Sequence, residues 1–439
     1  MPAPRQPEGD LLPEVRTTVP GPASRRLAER LAAVESRNVT CLAPDAPIFW
    51  ARATGANVWD VDGNRYVDLT GAFGVASTGH AHPDVAGAIA RQAGTLLHGM
   101  GDVHPAEVKV ELLEALAERF PGGARARGLL GSSGADAVET AIKTAMLATG
   151  RAGLVAFEGG YHGLSLGALD ATWRRDFREP FEARLPQATA FASYGDADSV
   201  SGAASRLAAA GHPVGAVLVE PVQGRGGERV PPAGFLRALR QRCDEAGWLL
   251  IADEIYTGCG RTGRFFACEH EDVAPDLICV GKGLSAGMPL SACLGRAEVM
   301  DAWPTSQGEA IHTQTFLGHP ASCAAALAAL RVIEREKLVE RSAHLGGELL
   351  ARLRADLAGA EPVTGIRGLG LMIGIACASP AIAQSVTRRA LEQGVIVLPS
   401  GEGGSVLSLT PPLSIAEPLL EHAVSVLVPL LGGAGRGGK

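Results

Sequence analysis

Short apolar runs alternate with longer amphipathic ones through the middle of the chain. Leu154–Phe157, Ala216–Val219, Leu249–Ala252 and Leu277–Val280 are rich in Leu, Ile or Val and bounded by polar residues or Gly, which is the pattern of strands buried on both faces. Between them Ala135–Thr149, Ala203–Ala210 and Phe235–Ala246 repeat with helical period. The alternation predicts an α/β fold with a mostly parallel central sheet covered by helices on both faces. Nearer the N-terminus, Ser24–Glu35 reads as a helix and Val58–Asp68 as a hairpin turning at Asp62-Gly63. After Pro320, helices at Ser322–Lys337 and Arg341–Ala358 and strands around Leu369–Ile375 and Val395–Leu398 predict a smaller α+β domain that closes the chain. Residues 1–22 read as a flexible lead and 432–439 as a frayed, Gly-rich tail.

Composition narrows the class. The chain has 439 residues, 46% hydrophobic and 20% charged, a globular balance with length for about two or three domains. No apolar run approaches the roughly 18 residues of a membrane span. The net charge of −7 without a basic cluster argues against a nucleic-acid or anionic-membrane surface. Met1–Glu14 lacks the charged-then-apolar pattern of a signal peptide, so a cytoplasmic location is the default expectation. Eight cysteines without a CxxC pair are expected to be reduced and packed, not metal ligands. Of forty Lys plus Arg only five are Lys, at positions 109, 143, 282, 337 and 439. Arginine meets most needs for positive charge here, so each lysine raises the question of what an amine does that a guanidinium cannot.

Polar residues without an obvious structural need follow the buried strands. Gly159-Gly-Tyr161-His162-Gly163, Glu220-Pro-Val-Gln-Gly224, Asp253-Glu254 and Gly281-Lys282-Gly283 each sit just after one of them. Ligands of open α/β sheets bind outside the carboxyl ends of the strands, so these groups are expected to converge. Lys282 between two glycines can be approached by a flat cofactor and can form an imine with its aldehyde; its bland alternative is a lysine in an exposed turn. Asp253 ends an apolar strand, where an unpaired carboxylate is costly. A pyridinium N–H is the partner that pyridoxal phosphate would supply, and the bland alternative is a loop cap. Gly131-Ser-Ser-Gly-Ala-Asp136 opens a helix, where free N–H groups can meet a phosphate or simply be capped by Ser133 or Asp136.

Taken together, these residues resemble the class III aminotransferases of the pyridoxal-phosphate fold-type-I superfamily, from about Ile48 to about Val428. The resemblance is carried by Asp60-Val-Asp-Gly63, Gly79-His-Ala-His-Pro83, Ser133-Gly-Ala-Asp-Ala-Val-Glu139, Tyr161-His-Gly163, Glu220-Pro-Val-Gln-Gly224, Asp253-Glu-Ile-Tyr-Thr-Gly258 with Gly260-Arg-Thr-Gly263, Gly281-Lys-Gly283 and Thr315-Phe316 before Gly318. It implies a large cofactor-binding domain at 70–318 and a small domain built from both chain ends, 23–69 and 319–431. It implies that Lys282 forms the covalent link to the cofactor and shuttles the proton, and that Asp253 pairs with the pyridine nitrogen. Tyr161 would stack on the ring with His162 beside it, Ser133, Gly134 and Ala135 would surround the phosphate, and Glu220 would be structural or face the substrate. Tyr256 takes the place of a glutamine near the ring hydroxyl. Thr315 would reach the phosphate of a neighbouring subunit, making a homodimer part of the active site.

The departures concern substrate. In the family resembled, members acting on 4-aminobutyrate, ornithine or acetylornithine typically carry an arginine directly after Tyr/Phe-His-Gly and another shortly before the Pro-containing segment near the C-terminus, where this chain has Leu164 and Ser408. The glutamate of the family's Glu-Pro-Val-Gln-Gly-Glu is replaced by Arg225, so both partners of the usual Glu–Arg switch are gone. Arg225 would then supply a carboxylate-binding cation from the other side, or the main substrate has no carboxylate there. The expectation is a ping-pong aminotransferase passing an amino group from an amine donor to a carbonyl acceptor, with a primary amine or amino sugar as favoured substrate. A racemase or epimerase could be built from the same residues, and an aminotransferase of ordinary amino acids or of the 4-aminobutyrate type is the further alternative. A binding module that kept the fold without chemistry predicts loss of Lys282, Asp253 or the phosphate loop, and all are present.

Overall fold

The central sheet of the protein, seen in a computed structural model that describes residues 9–42 and 47–432, has seven strands. Their spatial order is Ala126–Gly131, Ser291–Arg296, Leu277–Val280, Leu249–Asp253, Val214–Val219, Gly153–Phe157 and Thr189–Ala192. All run in one direction except Ser291–Arg296, which is antiparallel to both neighbours. The four strands read from apolar runs lie side by side at its centre, apart from the edge positions. Val214–Val219 and Leu277–Val280 are buried at every position, as strands covered on both faces must be. Helices Gly134–Thr149 and Phe235–Ala246 fall where helical period placed them. Their apolar stripes join separate clusters on the two faces: Val138 and Ala141 pack with Leu218 and Ile251, Leu239 and Cys243 with Val217 and Leu250.

The remaining strands form two four-stranded sheets. In the first, Trp50–Thr54, Asn57–Asp60 and Arg65–Asp68 are antiparallel, and Val395–Ile396 adds in parallel beside Arg65–Asp68. Residues from the two ends of the chain therefore share one sheet. The expected turn is present, with Asp60 Oδ1 accepting from the Asp62 and Asn64 N–H groups and Gly63 at φ 86°. The second sheet orders Val363–Leu369, Met372–Cys377, Val406–Leu409 and Leu398–Ser400, all antiparallel. The single strand expected around Leu369–Ile375 is thus a hairpin. Gly370, at φ 53°, turns it where a Cβ would meet Arg261 O at 2.7 Å. Helix Pro320–Arg335 is buried along most of its length, and its alanines pack closely on Val85 and Ala88 of helix Pro83–Thr95.

The reading of a flexible lead needs correction from Gly9 onward. Asn57 and Asn64 are fully buried, and the lead supplies their partners: Leu11 exchanges two 2.8 Å bonds with the Asn57 amide, and Arg16 N–H donates to Asn64 Oδ1 at 2.7 Å. Buried amides that would otherwise be unpaired hold this segment in place. The first eight residues of the lead and the tail from 433 lie outside the described residues. The eight cysteines are free thiols, seven of them buried. Among the described residues no helix is long and apolar enough to cross a membrane.

Candidate active site

The loops that leave the strand ends at Phe157, Val219, Asp253 and Val280 meet in one cleft of about 360 Å³. Its walls include Gly134, Tyr161, Glu220, Arg225, Asp253 and Lys282. The predicted convergence therefore holds, and the order of strands in the sheet produces it.

Asp253 closes its strand and is 3% exposed. Its Oδ2 lies 2.7 Å from His162 Nδ1, and its Oδ1 accepts from Ile255 N–H at 3.1 Å. Burial works against the imidazolium of His162, yet the hydrogen bond it donates to Asp253 and the charges of Asp253 and Glu220 outweigh it and raise its pKa. The contact sets an imidazole whose protonated form is favoured directly against the Asp253 carboxyl group. Glu220 accepts from Tyr161 N–H at 3.0 Å and Gly224 N–H at 3.2 Å. Burial first, and then repulsion from Asp253, push its carboxyl up to about 7 against the pull of His162.

Lys282 adopts φ 40°, an uncommon conformation for a side-chain-bearing residue. Such strain persists only where the surrounding structure over-determines it. Desolvation lowers its pKa, opposed by Asp253 and Glu220 and assisted by Arg225. A lysine so placed is more readily the neutral amine that attacks a carbonyl or takes a proton.

Ser133 caps helix Gly134–Thr149, accepting from Asp136 N–H, while Asp136 Oδ2 takes the N–H groups of Ser132 and Ser133 at 2.9 Å. The capping box thus satisfies the residues before the helix. Gly134 and Ala135, in the first turn, have no helical acceptor for their N–H groups, and both line the cleft. This helix start can hold an anion.

Tyr256 is held tightly by its neighbours. Its ring is sandwiched between two glycines: a Cβ on Gly74 would lie 2.5 Å from the ring, and one on Gly224 would overlap it. Its hydroxyl bonds to Thr410 Oγ1 at 3.1 Å, and its face lies 4.4 Å from Lys282 Nζ. The face of the ring, not the hydroxyl, meets the lysine. Arg225 is drawn inward, its guanidinium 5.5 Å from the Tyr161 ring centroid. Leu164 sits at the mouth of the cleft, half exposed. Thr315 is exposed and is not among the lining residues of its own chain's cleft.

Ser408 lies in a second, smaller cavity that shares Arg225 and Tyr256 with the cleft. There its hydroxyl donates to Glu228 Oε1 at 2.6 Å. Glu228 and Ser400 escaped the sequence reading. The only local signal for Glu228 was an acidic residue three positions after Arg225 in a Gly-Gly run, and its partner is 180 residues away.

A lysine, a histidine-backed aspartate and a helix start on one cleft at the carboxyl ends of a mostly parallel sheet define a fold-type-I pyridoxal-phosphate enzyme. The class-III aminotransferase family model matches residues 41–431, and the chain belongs to that family; it is an aminotransferase that uses pyridoxal phosphate. It is 41% identical to acetylornithine aminotransferase of Methanopyrus kandleri over 89% of this chain and 95% of that one. It is 36% identical to 4-aminobutyrate aminotransferase of Mycobacterium leprae, over 95% and 97% of the two chains. Among solved structures, ornithine aminotransferase of Toxoplasma gondii superposes with a TM-score of 0.85 at 31% identity, covering 95% of this chain and 96% of that one.

Proposed function

We propose that Lys282 carries the pyridoxal phosphate, that Asp253 faces the pyridine nitrogen, and that Gly134 and Ala135 N–H groups with Ser133 hold the phosphate. Tyr161 covers the ring and His162 orients Asp253. The donor set fits the group: a buried carboxylate for a protonated ring nitrogen, an amine for the aldehyde, and a helix start for the phosphate. The bound cofactor supplies the electron sink for the carbanion left when a donor loses its proton. Lys282, with its lowered pKa, would take that proton at Nζ and give it up again within the same half-reaction, so that the amine ends as it began. Asp253, oriented by its 2.7 Å contact with His162, would face the ring nitrogen and favour its protonated form. Water has little access to this pair, since both side chains are nearly fully buried.

The donor we infer is a compound with a terminal primary amine, amino sugars included. Leu164 in the cleft and Ser408 in the adjoining cavity stand where cations were expected, and Arg225 lines the cleft together with Lys282 and His162. Relatives named for acetylornithine, 5-aminovalerate and 4-aminobutyrate act on amines at the far end of a carboxylate chain. Arg225 over the cleft favours the companion reading that carboxylate-bearing substrates of the 4-aminobutyrate type are also taken. The observation that carries the proposal is the convergence of Lys282 with the Asp253–His162 pair. A donor panel read through the cofactor's absorbance tests it. Terminal amines should bleach the band, and Arg225→Ala should raise the saturating concentration for carboxylate-bearing substrates at least about tenfold. If α-amino acids alone react, the terminal-amine reading fails.

A second copy of the chain completes the site in this account. Thr315 is exposed, and Phe316 and Ile311 beside it are 59% and 68% exposed, which supports a partner covering this segment. Thr315→Ala should weaken cofactor retention without changing the Lys282 linkage. An enzyme that sediments as a monomer while fully active would refute the shared site.

A further inference from the structure

Glu228 is fully buried, yet it borders a cavity that opens beside the reactive lysine. The loop that carries it turns through Gly226 and Gly227, the latter at φ 99°, and Glu228 itself takes φ 47°. Its two carboxylate oxygens are each met by one hydroxyl, Ser408 Oγ at 2.6 Å and Ser400 Oγ at 2.7 Å. Ser408 stands next to the Tyr256–Thr410 pair, and the Tyr256 ring lies under Lys282 Nζ. A continuous wall therefore runs from the reacting amine to the carboxylate.

What this carboxylate lacks is a cation in direct contact. Arg367 attracts it through space but spends its Nε on Gly227 O at 2.8 Å, and among the described residues no ion pair of Glu228 with a Lys, Arg or His is seen. Arg225, three residues away, is turned over Tyr161 instead. Burying a carboxylate with hydroxyl partners alone is costly, and a purely structural link between these strands would be served by an amide. The free space beside it is about 30 Å³, the room of one water molecule or one ammonium group.

We propose that Glu228, with Ser400 and Ser408, forms a subsite for a second ammonium group of the substrate, so that diamines and diamino compounds are the donors this enzyme takes best. The inference rests on the terminal-amine reading and names the far end of the donor. Ser408 carries no charge of its own and donates to Glu228, so the distal wall presents an acid. Burial raises the Glu228 carboxyl to about 7, with the two serine hydroxyls and Arg367 pulling it down and Glu220 adding to the rise. An incoming ammonium supplies the counter-charge that ionises it.

The test is the first half-reaction of the holoenzyme with unbranched α,ω-diamines of increasing length and with the monoamine of each length, followed by the loss of the cofactor's absorbance band. In the wild type at least one diamine should exceed its monoamine about tenfold or more in kcat/KM, through KM. In Glu228→Gln that ratio should collapse toward one. Wild-type enzyme that treats diamine and monoamine alike overturns the proposal, even if the variant does not fold. So does a Glu228→Gln enzyme that keeps the wild-type ratio. If no terminal amine of either kind bleaches the band, the terminal-amine reading itself fails, a distinct outcome.

Discussion

Replacing Glu228 by glutamine removes a titrating group that folding holds far from its ordinary value. In the folded chain its carboxyl is raised from 4.5 to about 7 because burial disfavours the charge. An unfolded chain ionises this residue first, so between these two pH values the folded state binds more protons than the unfolded one. Stability must then fall as pH rises through that window, and the loss is complete above about 7. At roughly 1.4 kcal/mol per pH unit the interval corresponds to about 3 kcal/mol. Apparent thermal midpoints of wild type and Glu228→Gln, scanned at one rate from about pH 4.5 to 8.5, give the comparison. Both proteins share the contribution of Glu220, so the difference between their curves isolates Glu228. The variant should gain on the wild type as pH rises through the window and run parallel to it above. Curves that stay parallel throughout, or that diverge in the opposite sense, refute the claim that burial raises the Glu228 carboxyl.

Three further outcomes follow from the site. His162→Ala leaves Asp253 buried without its 2.7 Å partner, and should weaken cofactor binding at least about tenfold in absorbance titrations. Gly224→Ala places a methyl group in the Tyr256 ring; overpacking of this kind costs about 1–3 kcal/mol, seen as a lower melting midpoint together with a poorer donor KM. Asp136→Asn weakens the capping box that holds Ser132 and Ser133 N–H, and should lower the melting midpoint modestly, by the loss of about 1 kcal/mol.

The central layer of the fold was legible because its strands are buried on both faces and its helices on one. Phe235–Ala246 has the same limits in sequence and structure, and Leu249–Asp253 differs by the single aspartate that matters for the chemistry. Ser291–Arg296 was missed, since Ser-Ala-Cys-Leu-Gly-Arg mixes small and polar residues and only its pairing between Ala126–Gly131 and Leu277–Val280 makes it a strand. Periodicity cannot report a partner distant in sequence. The site shows the same division. Lys282 and Asp253 announced themselves through strand ends and flanking glycines. Glu228 meets Ser408 only because two antiparallel strands bring Leu398–Ser400 and Val406–Leu409 together above a glycine-rich loop. Likewise, the orientation of Tyr256 is fixed by Gly74 and Gly224, which are far apart along the chain.

The account turns on one nitrogen. Borohydride reduction of the holoenzyme fixes the cofactor to the amine that holds it, and peptide mapping by mass spectrometry then identifies the residue. Five lysines are available. The pyridoxyl mass should appear on Lys282 alone and be absent from a Lys282→Ala protein. The same mass on Lys109, Lys143 or Lys337, or no fixed mass on any lysine, would contradict the assignment of the active site.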